Sequence, residues 1–259
     1  VTKTLQITNI DKENPSAPNI TNSSNGNWTN QNVTITLVST DNVAVASYEW
    51  YENGAWTTRA LTTSSGVGTI TYTVNRNEQI RYRAKDTAGN YSAEATTWVR
   101  IDKTAPTVSN IKVTSPAAGS YKAGQVVTIV ATYSENVKGT APTLGIKFGS
   151  GATKSLSGTI SGSTITYTYS IAAGDNGTLT TVSNSGGALI DSVGNVATLS
   201  CPANSGNNIV ADTTAPTVSN IKVTSPATGT YKAGQVVTIV ATYSENIKGT
   251  APALTIKVG

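Results

Sequence analysis

From Val33 the chain alternates apolar and polar residues: Val33, Ile35 and Leu37 are separated by Thr34 and Thr36. The pattern returns at Tyr48 and Trp50 with Glu49 and Tyr51, and at Ile70, Tyr72 and Val74 with Thr71 and Thr73. It returns again at Ile80, Tyr82 and Ala84 with Arg81, Arg83 and Lys85. Successive side chains of a strand point to opposite faces, so a period of two predicts antiparallel strands with one dry face. Turn residues punctuate the runs at Asn25-Gly26-Asn27, Asn53-Gly54, Ser65-Gly66 and Ala88-Gly89-Asn90. Asn53-Gly54, between two aromatic-rich runs, predicts a two-residue hairpin. Further along, Val127, Ile129, Ala131 and Tyr133 share one face. Ile165, Tyr167, Tyr169 and Ile171 share another, with Thr164, Thr166 and Thr168 outward. No window carries the stripe of an amphipathic helix. Short strands at close spacing with polar turns predict an all-β chain of antiparallel sandwiches.

The segment Thr104–Gly149 recurs as Thr214–Gly259, 46 residues written twice, 110 residues apart, with six differences. That period is too long for a solenoid unit and matches a whole sandwich. Similar markers recur at the edges: Ile101-Asp102-Lys103-Thr104-Ala105-Pro106, Ala211-Asp212-Thr213-Thr214-Ala215-Pro216, and more loosely Ile10-Asp11-Lys12-Glu13-Asn14-Pro15. Proline lacks the N–H that a ladder needs and stiffens the exit, so these read as linkers. The expected division is residues 1–11 as the last strand of a preceding repeat, 16–102 and 104–212 as complete domains of two subtypes, and 214–259 as an incomplete copy of the second. That copy should supply three strands, Val218–Thr224, Gln235–Tyr243 and Ala253–Val258. It should not fold alone as the second domain does, because half a sandwich leaves its apolar faces bare.

Composition narrows the class. Charged residues make up 12% of the chain, aromatics 6%, and the formal net charge is +4. The densest basic stretch, Arg81-Tyr82-Arg83-Ala84-Lys85, alternates as a strand does and reads as the wet face of a sheet, so no nucleic-acid partner is expected. No apolar run reaches membrane-spanning length and no signal peptide is present, so no membrane insertion is expected in this stretch, and any targeting segment would lie outside it. The single cysteine, Cys201, has no partner for a disulfide within the chain. A cysteine-poor, Thr- and Asn-rich β chain fits a bacterial exported protein better than a secreted eukaryotic one.

Residues 16–106 resemble a bacterial immunoglobulin-like (Big) domain. The match is carried by Asn27-Trp28-Thr29-Asn30 before Val33-Thr34-Ile35, by Thr40-Asp41-Asn42-Val43 before Ala46-Ser47-Tyr48-Glu49-Trp50, by Arg83-Ala84-Lys85-Asp86-Thr87-Ala88-Gly89-Asn90, and by the exit at Ile101–Pro106. The second domain is similar to another bacterial Ig-like repeat through Tyr121-Lys122-Ala123-Gly124, Tyr133-Ser134-Glu135-Asn136-Val137, Ala173-Gly174-Asp175 and Ile190-Asp191-Ser192-Val193-Gly194-Asn195. The resemblance implies tandem Ig-like sandwiches in a large cell-surface or adhesin-type protein, extracellular, serving as stalks or adhesive modules with neighbouring repeats as partners.

Little in the chain suits catalysis. Histidine, the commonest general base, is absent. Carboxylates are sparse, and Cys201 has no partner base, so no enzyme activity is expected. Asp41, Asp86, Asn90, Glu135, Asp175, Asp191 and Asn195 sit in turns, with Asp102 and Asp212 at linkers. Oxygen ligands in turns can hold calcium, which takes six to eight of them. The same residues cap turns without an ion. With no dense Asp-x-Asp loop, capping is the preferred reading; no metal site or cofactor is assigned, and calcium stays open.

The tryptophans Trp28, Trp50, Trp56 and Trp98 all fall in the first domain. Trp50 or Trp98 is expected in the core and the rest over sheet edges. Tyr51 and Trp56 flank the hairpin turn and are the candidate ligand-binding residues, for a glycan or host surface. The outward threonines form no regular ladder, so an ice-binding array is set aside. Lys112, Lys122 and Glu135, present in both copies, leave a Lys-to-Asn or Lys-to-Asp crosslink open. Three functions are compatible: a non-catalytic stalk, a carbohydrate- or host-binding accessory module, and a self-assembling surface-layer or filament subunit.

Overall fold

The computed structural model describes residues 10–52 and 54–257, the side chains of 62–64 excepted. The strand expected within residues 1–11 therefore lies almost wholly outside the described residues. Every regular element among those described is a strand, and none of their helices could cross a membrane because there are none.

The first domain contains β1 (Asn19–Asn22), β2 (Trp28–Thr29), β3 (Val33–Glu52), β4 (Ala55–Val74), β5 (Glu78–Asp86) and β6 (Ala95–Ile101). β3 and β4 form one long hairpin with Glu52 opposite Ala55, which leaves a two-residue loop. Gly54 in it has φ +82°, the left-handed region that glycine enters freely; Asn53 lies outside the described residues. Ser65-Gly66 is expected to separate two strands and Asp41 to sit in a turn, yet both strands run through these positions. Register shifts between Thr40 and Val45 and between Val45 and Ser47 bend β3 instead. A bulge adds a residue to one strand and kinks it without ending it. The first half of β3 pairs with β1 and the end of β4; the second half pairs with β5 and the start of β4. One strand thus serves two facing sheets.

The dry faces close on Val33, Ile35, Leu37, Tyr48, Trp50, Ile80, Tyr82, Ala84 and Val99. Tyr48 Oη donates to Gly68 O at 2.8 Å, which satisfies a hydroxyl buried among apolar groups. Tyr72 stacks on Trp50 with ring centroids 4.6 Å apart, and its hydroxyl bonds that of Tyr82.

The second domain contains β7 (Val108–Ser115), β8 (Gly119–Tyr121), β9 (Val126–Tyr133), β10 (Lys138–Thr140), β11 (Thr143–Phe148) and β12 (Lys154–Leu156). It continues through β13 (Gly158–Ser161), β14 (Thr164–Ser170), β15 (Gly177–Ser185), β16 (Ala188–Ile190), β17 (Ser205–Gly206) and β18 (Ile209–Ala211). One sheet runs β13-β14-β9-β7-β17 and the other β12-β11-β15-β18-β8. With β7, β9, β11, β13, β14, β15 and β18 lettered A to G, these are sheets D-E-B-A and C-F-G. That is the strand order of an immunoglobulin sandwich. The first domain is a variant of that order, with B and C fused in β3 and C′ and E fused in β4: its ladders run E-B-A and C′-C-F-G, with no strand D among the described residues. The predicted inner faces fill the second core: Val127, Ile129, Ala131, Tyr133, Ile165, Tyr167 and Ile171 are buried, and Tyr169 packs against them.

Asp175 ties down the loop that follows β14. Its Oδ2 accepts from Tyr169 Oη at 2.7 Å and from the Ala172 amide at 2.8 Å, and Lys154 Nζ lies 3.3 Å from Oδ1. Burial raises its pKa, but the Tyr169 hydroxyl, the Ala172 amide and Lys154 more than offset this, so it lies below the usual carboxylate value. A depressed folded pKa adds stability that is present above the unfolded pKa and lost as pH falls through the folded one. Asp175→Ala strands the Tyr169 hydroxyl and is expected to cost about 1–3 kcal/mol. Urea titrations at pH 7 and pH 3 should differ less for the variant than for the parent chain.

Beyond the second domain, β19 (Val218–Ser225) pairs with β20 (Thr238–Tyr243). The register repeats that of β7 with β9 residue for residue: Val108↔Tyr133 becomes Val218↔Tyr243, and Ile111↔Ala131 becomes Ile221↔Ala241. The expected third strand, Ala253–Val258, is not formed: residues 253–257 carry no strand, and Val258 lies outside the described residues. The reason is topological. The equivalent β11 bonds to β12 and β15 in the opposite sheet, never to β7 or β9. Where that sheet is not built, the strand has no ladder to join. The faces register the same fact, since Ile111 is fully buried and Ile221 is 52% exposed.

Candidate functional site

The alternation that sends Tyr48 and Trp50 inward in β3 sends Glu49 and Tyr51 the other way. Trp56 of β4 and Arg81, Arg83 and Lys85 of β5 share that outer face. Tyr51 and Trp56 meet edge to face at 5.4 Å. The Arg81 guanidinium lies 4.2 Å from the Tyr51 ring centroid, and that of Arg83 lies 4.2 Å from Trp56 and 4.0 Å from Tyr91. The stretch expected as a plain wet face is therefore a layer of alternating rings and guanidinium groups, each contact an attraction between a cation and a π face.

Beneath this layer Glu49 is only 5% exposed. It accepts from Arg83 Nη2 at 2.6 Å, Arg83 Nε at 2.9 Å, Thr58 Oγ1 at 3.1 Å and Tyr91 Oη at 3.3 Å. Burial pushes its carboxyl up; Arg83, Thr58 and Tyr91 together outweigh that and hold it below its ordinary value. The structure brings the two candidate ligand-binding residues together, with an arginine already against each ring. Of the other tryptophans, Trp50 fills the core. Trp98 lies outside at 44% exposure with the Arg100 guanidinium 5.1 Å from its ring, and Trp28 is exposed.

A second arrangement sits where each linker enters its domain. Asp86 ends β5, and its Oδ1 accepts from the amides of Gly89 at 2.6 Å and Asn90 at 2.8 Å, while Oδ2 accepts from Asn90 Nδ2 at 2.8 Å. Asp191 does the same for the amides of Val193, Gly194 and Asn195 and for Asn195 Nδ2. Gly89 and Gly194 both stand at φ +100°, which the tight turn requires and a side chain resists. Both aspartates thus cap turns. Each asparagine also holds the incoming linker: Asn90 Nδ2 donates to Glu13 O at 3.1 Å, and Asn195 Nδ2 to Asp102 O at 2.9 Å.

The turns gather carboxylates. Asp11, Asp41 and Asp86 bring one oxygen each within 4.8 Å of one another, and Asp102, Glu135 and Asp191 do likewise. In each trio the first comes from the linker, the second from the corner between strands B and C, and the third from the loop after strand F. Asp86 and Asp191 are almost wholly buried. Burial raises both, but the side-chain amide of the following asparagine and the loop amides leave each below its usual value. Glu135 accepts no such bonds and is pushed up, first by burial and then by the charges of Asp102 and Asp191. The sequence marks each of these residues singly as a turn capper. Their convergence is invisible there because the members lie 30 to 89 positions apart. The available signal is that linker Asp, corner acid and Asp-x-x-Gly-Asn recur in the same order in two domains of different subtype.

The other candidates stay apart. Among the described residues no hydrogen bond or ion pair joins Lys112 or Lys122 to Glu135, and both lysines are exposed. Cys201 is half-buried against the second core.

No family model matches the chain. No curated protein matches it either. Among solved structures it is similar to the I-band fragment I67-I69 from titin, at 12% identity and TM-score 0.41 over 78% of this chain and 66% of that one. It is also similar to the I9-I11 tandem from titin, at 8% identity and TM-score 0.29 over 81% of this chain and 67% of that one. A biofilm associated protein, BSP domain, aligns at 9% identity and TM-score 0.26 over 77% of this chain and 30% of that one. The chain thus spans less than a third of the biofilm protein and about two-thirds of each titin fragment. It is the strand order E-B-A against C-F-G, held in both sandwiches, that makes them immunoglobulin-like.

Proposed function

We propose that this chain is a non-catalytic stalk section of an exported bacterial surface protein, holding a partner domain away from the cell. The observation that supports it is the way the two sandwiches are joined. β6 ends at Ile101, and the next residue is bonded on both sides: the Asp102 amide donates to Thr29 O at 2.9 Å and its carbonyl accepts from Asn195 Nδ2 at 2.9 Å. The Thr198 amide then donates to Pro106 O at 2.8 Å, two residues before β7 begins. A short Pro-containing linker with its polar groups engaged is a stiff spacer, unlike a Gly/Ser tether.

The terminal strands suit tension. β2 runs parallel to β6, and β8 parallel to β18. Pulling the chain from its two ends slides parallel neighbours past one another, so their hydrogen bonds are loaded together rather than one after another. Stretching single molecules of the full chain should give two separate unfolding events. Residues 16–102 and 104–212 should release roughly 300 and 390 Å of chain, at about 3.6 Å per residue. A smooth extension without force peaks would sink the stalk reading.

A further inference from the structure

We propose that the β19–β20 hairpin is the acceptor for one further strand, donated by a partner as an extended segment with apolar residues two apart around a central tyrosine. The hairpin forms a two-stranded sheet, so the outer edge of β20 carries no ladder. Such an edge is a template for an incoming strand. The second domain shows what its own copy of the hairpin holds there. Residues 126–133 and 236–243 are identical, and β14 pairs along β9 from Thr164↔Thr132 to Ser170↔Val126. Residues 162–171 also satisfy four backbone groups outside that ladder. The Tyr133 amide donates to Ser163 O at 2.8 Å, the Val137 amide to Gly162 O at 3.0 Å and the Gly124 amide to Ile171 O at 2.8 Å, while Gln125 O accepts from the Ile171 amide at 2.9 Å. The equivalent groups at Tyr243, Ile247, Gly234 and Gln235 have no such partner among the described residues.

Beside that edge the apolar face is hollow. Ile221, Ile239, Ala241, Tyr243, Ile247 and Leu254 line a groove of about 480 Å³. Their counterparts Ile111, Ile129, Ala131, Tyr133, Val137 and Leu144 are all buried, whereas Ile247 and Leu254 are 46% and 49% exposed. In the second domain a fully buried Tyr167 stands opposite Ile129 in the register, and its Oη donates to Pro142 O at 3.1 Å. Pro252 holds the matching place at the groove. In this mode of recognition the ladder gives affinity and the alternate side chains give specificity. The partner's chemistry follows: apolar and polar residues in alternation, a tyrosine opposite Ile239, and a turn of small residues that reaches the Tyr243 and Ile247 amides. A second copy of the chain does not offer this strand, because its own β14 is held between β13 and β9.

The test is titration of the full chain with a synthetic peptide of residues 158–171, read by hydrogen exchange at the 243–247 amides. Fragments carrying Ile247 differ in mass from those carrying Val137, so the two copies are read apart. Saturable binding of one peptide per chain is expected, with exchange across 243–247 slowed at least about tenfold and exchange across 133–137 unchanged. Tyr167→Phe in the peptide removes the hydroxyl that would reach Pro252 O and should weaken binding about three- to tenfold. A peptide with its apolar and threonine positions interchanged turns the wrong face to the groove and should not bind. Both changes lie in the peptide, so the fold of the chain is untouched. No saturable binding up to about 1 mM peptide, equal binding of the interchanged peptide, or protection at 133–137 instead of 243–247 would overturn the proposal. So would protection of 243–247 in the chain alone as its concentration rises, which would show a second copy covering the hairpin. The result is independent of the stretching experiment, which tests the stalk and not the acceptor.

Discussion

Ile111→Ala is expected to destabilise the second domain by about 2–5 kcal/mol, the cost of removing a buried branched side chain and leaving a cavity. Ile221→Ala should change stability by less than about 0.5 kcal/mol, as for a surface site. The two isoleucines stand in identical local sequence and in the same register of a two-stranded pair, Ile111 opposite Ala131 and Ile221 opposite Ala241. Only burial separates them: Ile111 is inaccessible and Ile221 is 52% exposed. All four tryptophans lie in the first domain, so their fluorescence in urea serves as an internal standard, while circular dichroism follows the whole chain. Equal effects at the two positions would mean that β19 and β20 are covered in solution by a second sheet.

Arg83→Ala is expected to cost the first domain about 3 kcal/mol, the lower end of the range for stripping one partner from a buried pair. The lower end applies because the Arg83 side chain is 24% exposed while that of Glu49 is 6% exposed. The dependence on pH should also change sign. With Arg83 present the folded pKa of Glu49 is depressed, so its contribution is full above the unfolded value and is lost as pH falls through the folded one. Without Arg83, burial is the largest influence left on the carboxyl. Its pKa rises above the unfolded value, and the domain gains stability as pH falls through it. Tryptophan fluorescence in urea between pH 3 and 7 reads this directly. Glu49→Gln added to Arg83→Ala should recover part of the loss; no recovery would place the damage in the ring-and-guanidinium layer instead.

The strands were legible because one face of each is dry. Val33, Ile35 and Leu37, or Val127, Ile129 and Ala131, announce their direction by a period of two, and all six are buried. The bend in β3 was not legible, since Asp41 and Asn42 signal a turn equally well whether a strand ends or kinks. Glu49 looked like a solvent-facing partner of Tyr51, because its burial depends on Arg83 and Tyr91 folding over it from 34 and 42 positions away. The carboxylate trios were hidden for the same reason. Local sequence shows a residue's own turn, whereas convergence depends on which loops the sandwich brings to one end.

The duplicated register carries a further consequence for how such a chain assembles. β7 and β9 are identical in sequence to their counterparts at 218–225 and 236–243, so either hairpin could seat against β14. Neighbouring repeats that can trade strands are prone to misassembly while they fold. Three of the six differences between the copies fall in β11: Thr143 against Ala253, Gly145 against Thr255, and Phe148 against Val258. A side chain placed at Gly145 collides with Ser183 Oγ, and replacing the buried Phe148 by valine leaves its place in the core part empty. An exchange begun at the identical strands would therefore stall at the third one, so a few substitutions there let each copy recognise its own remainder.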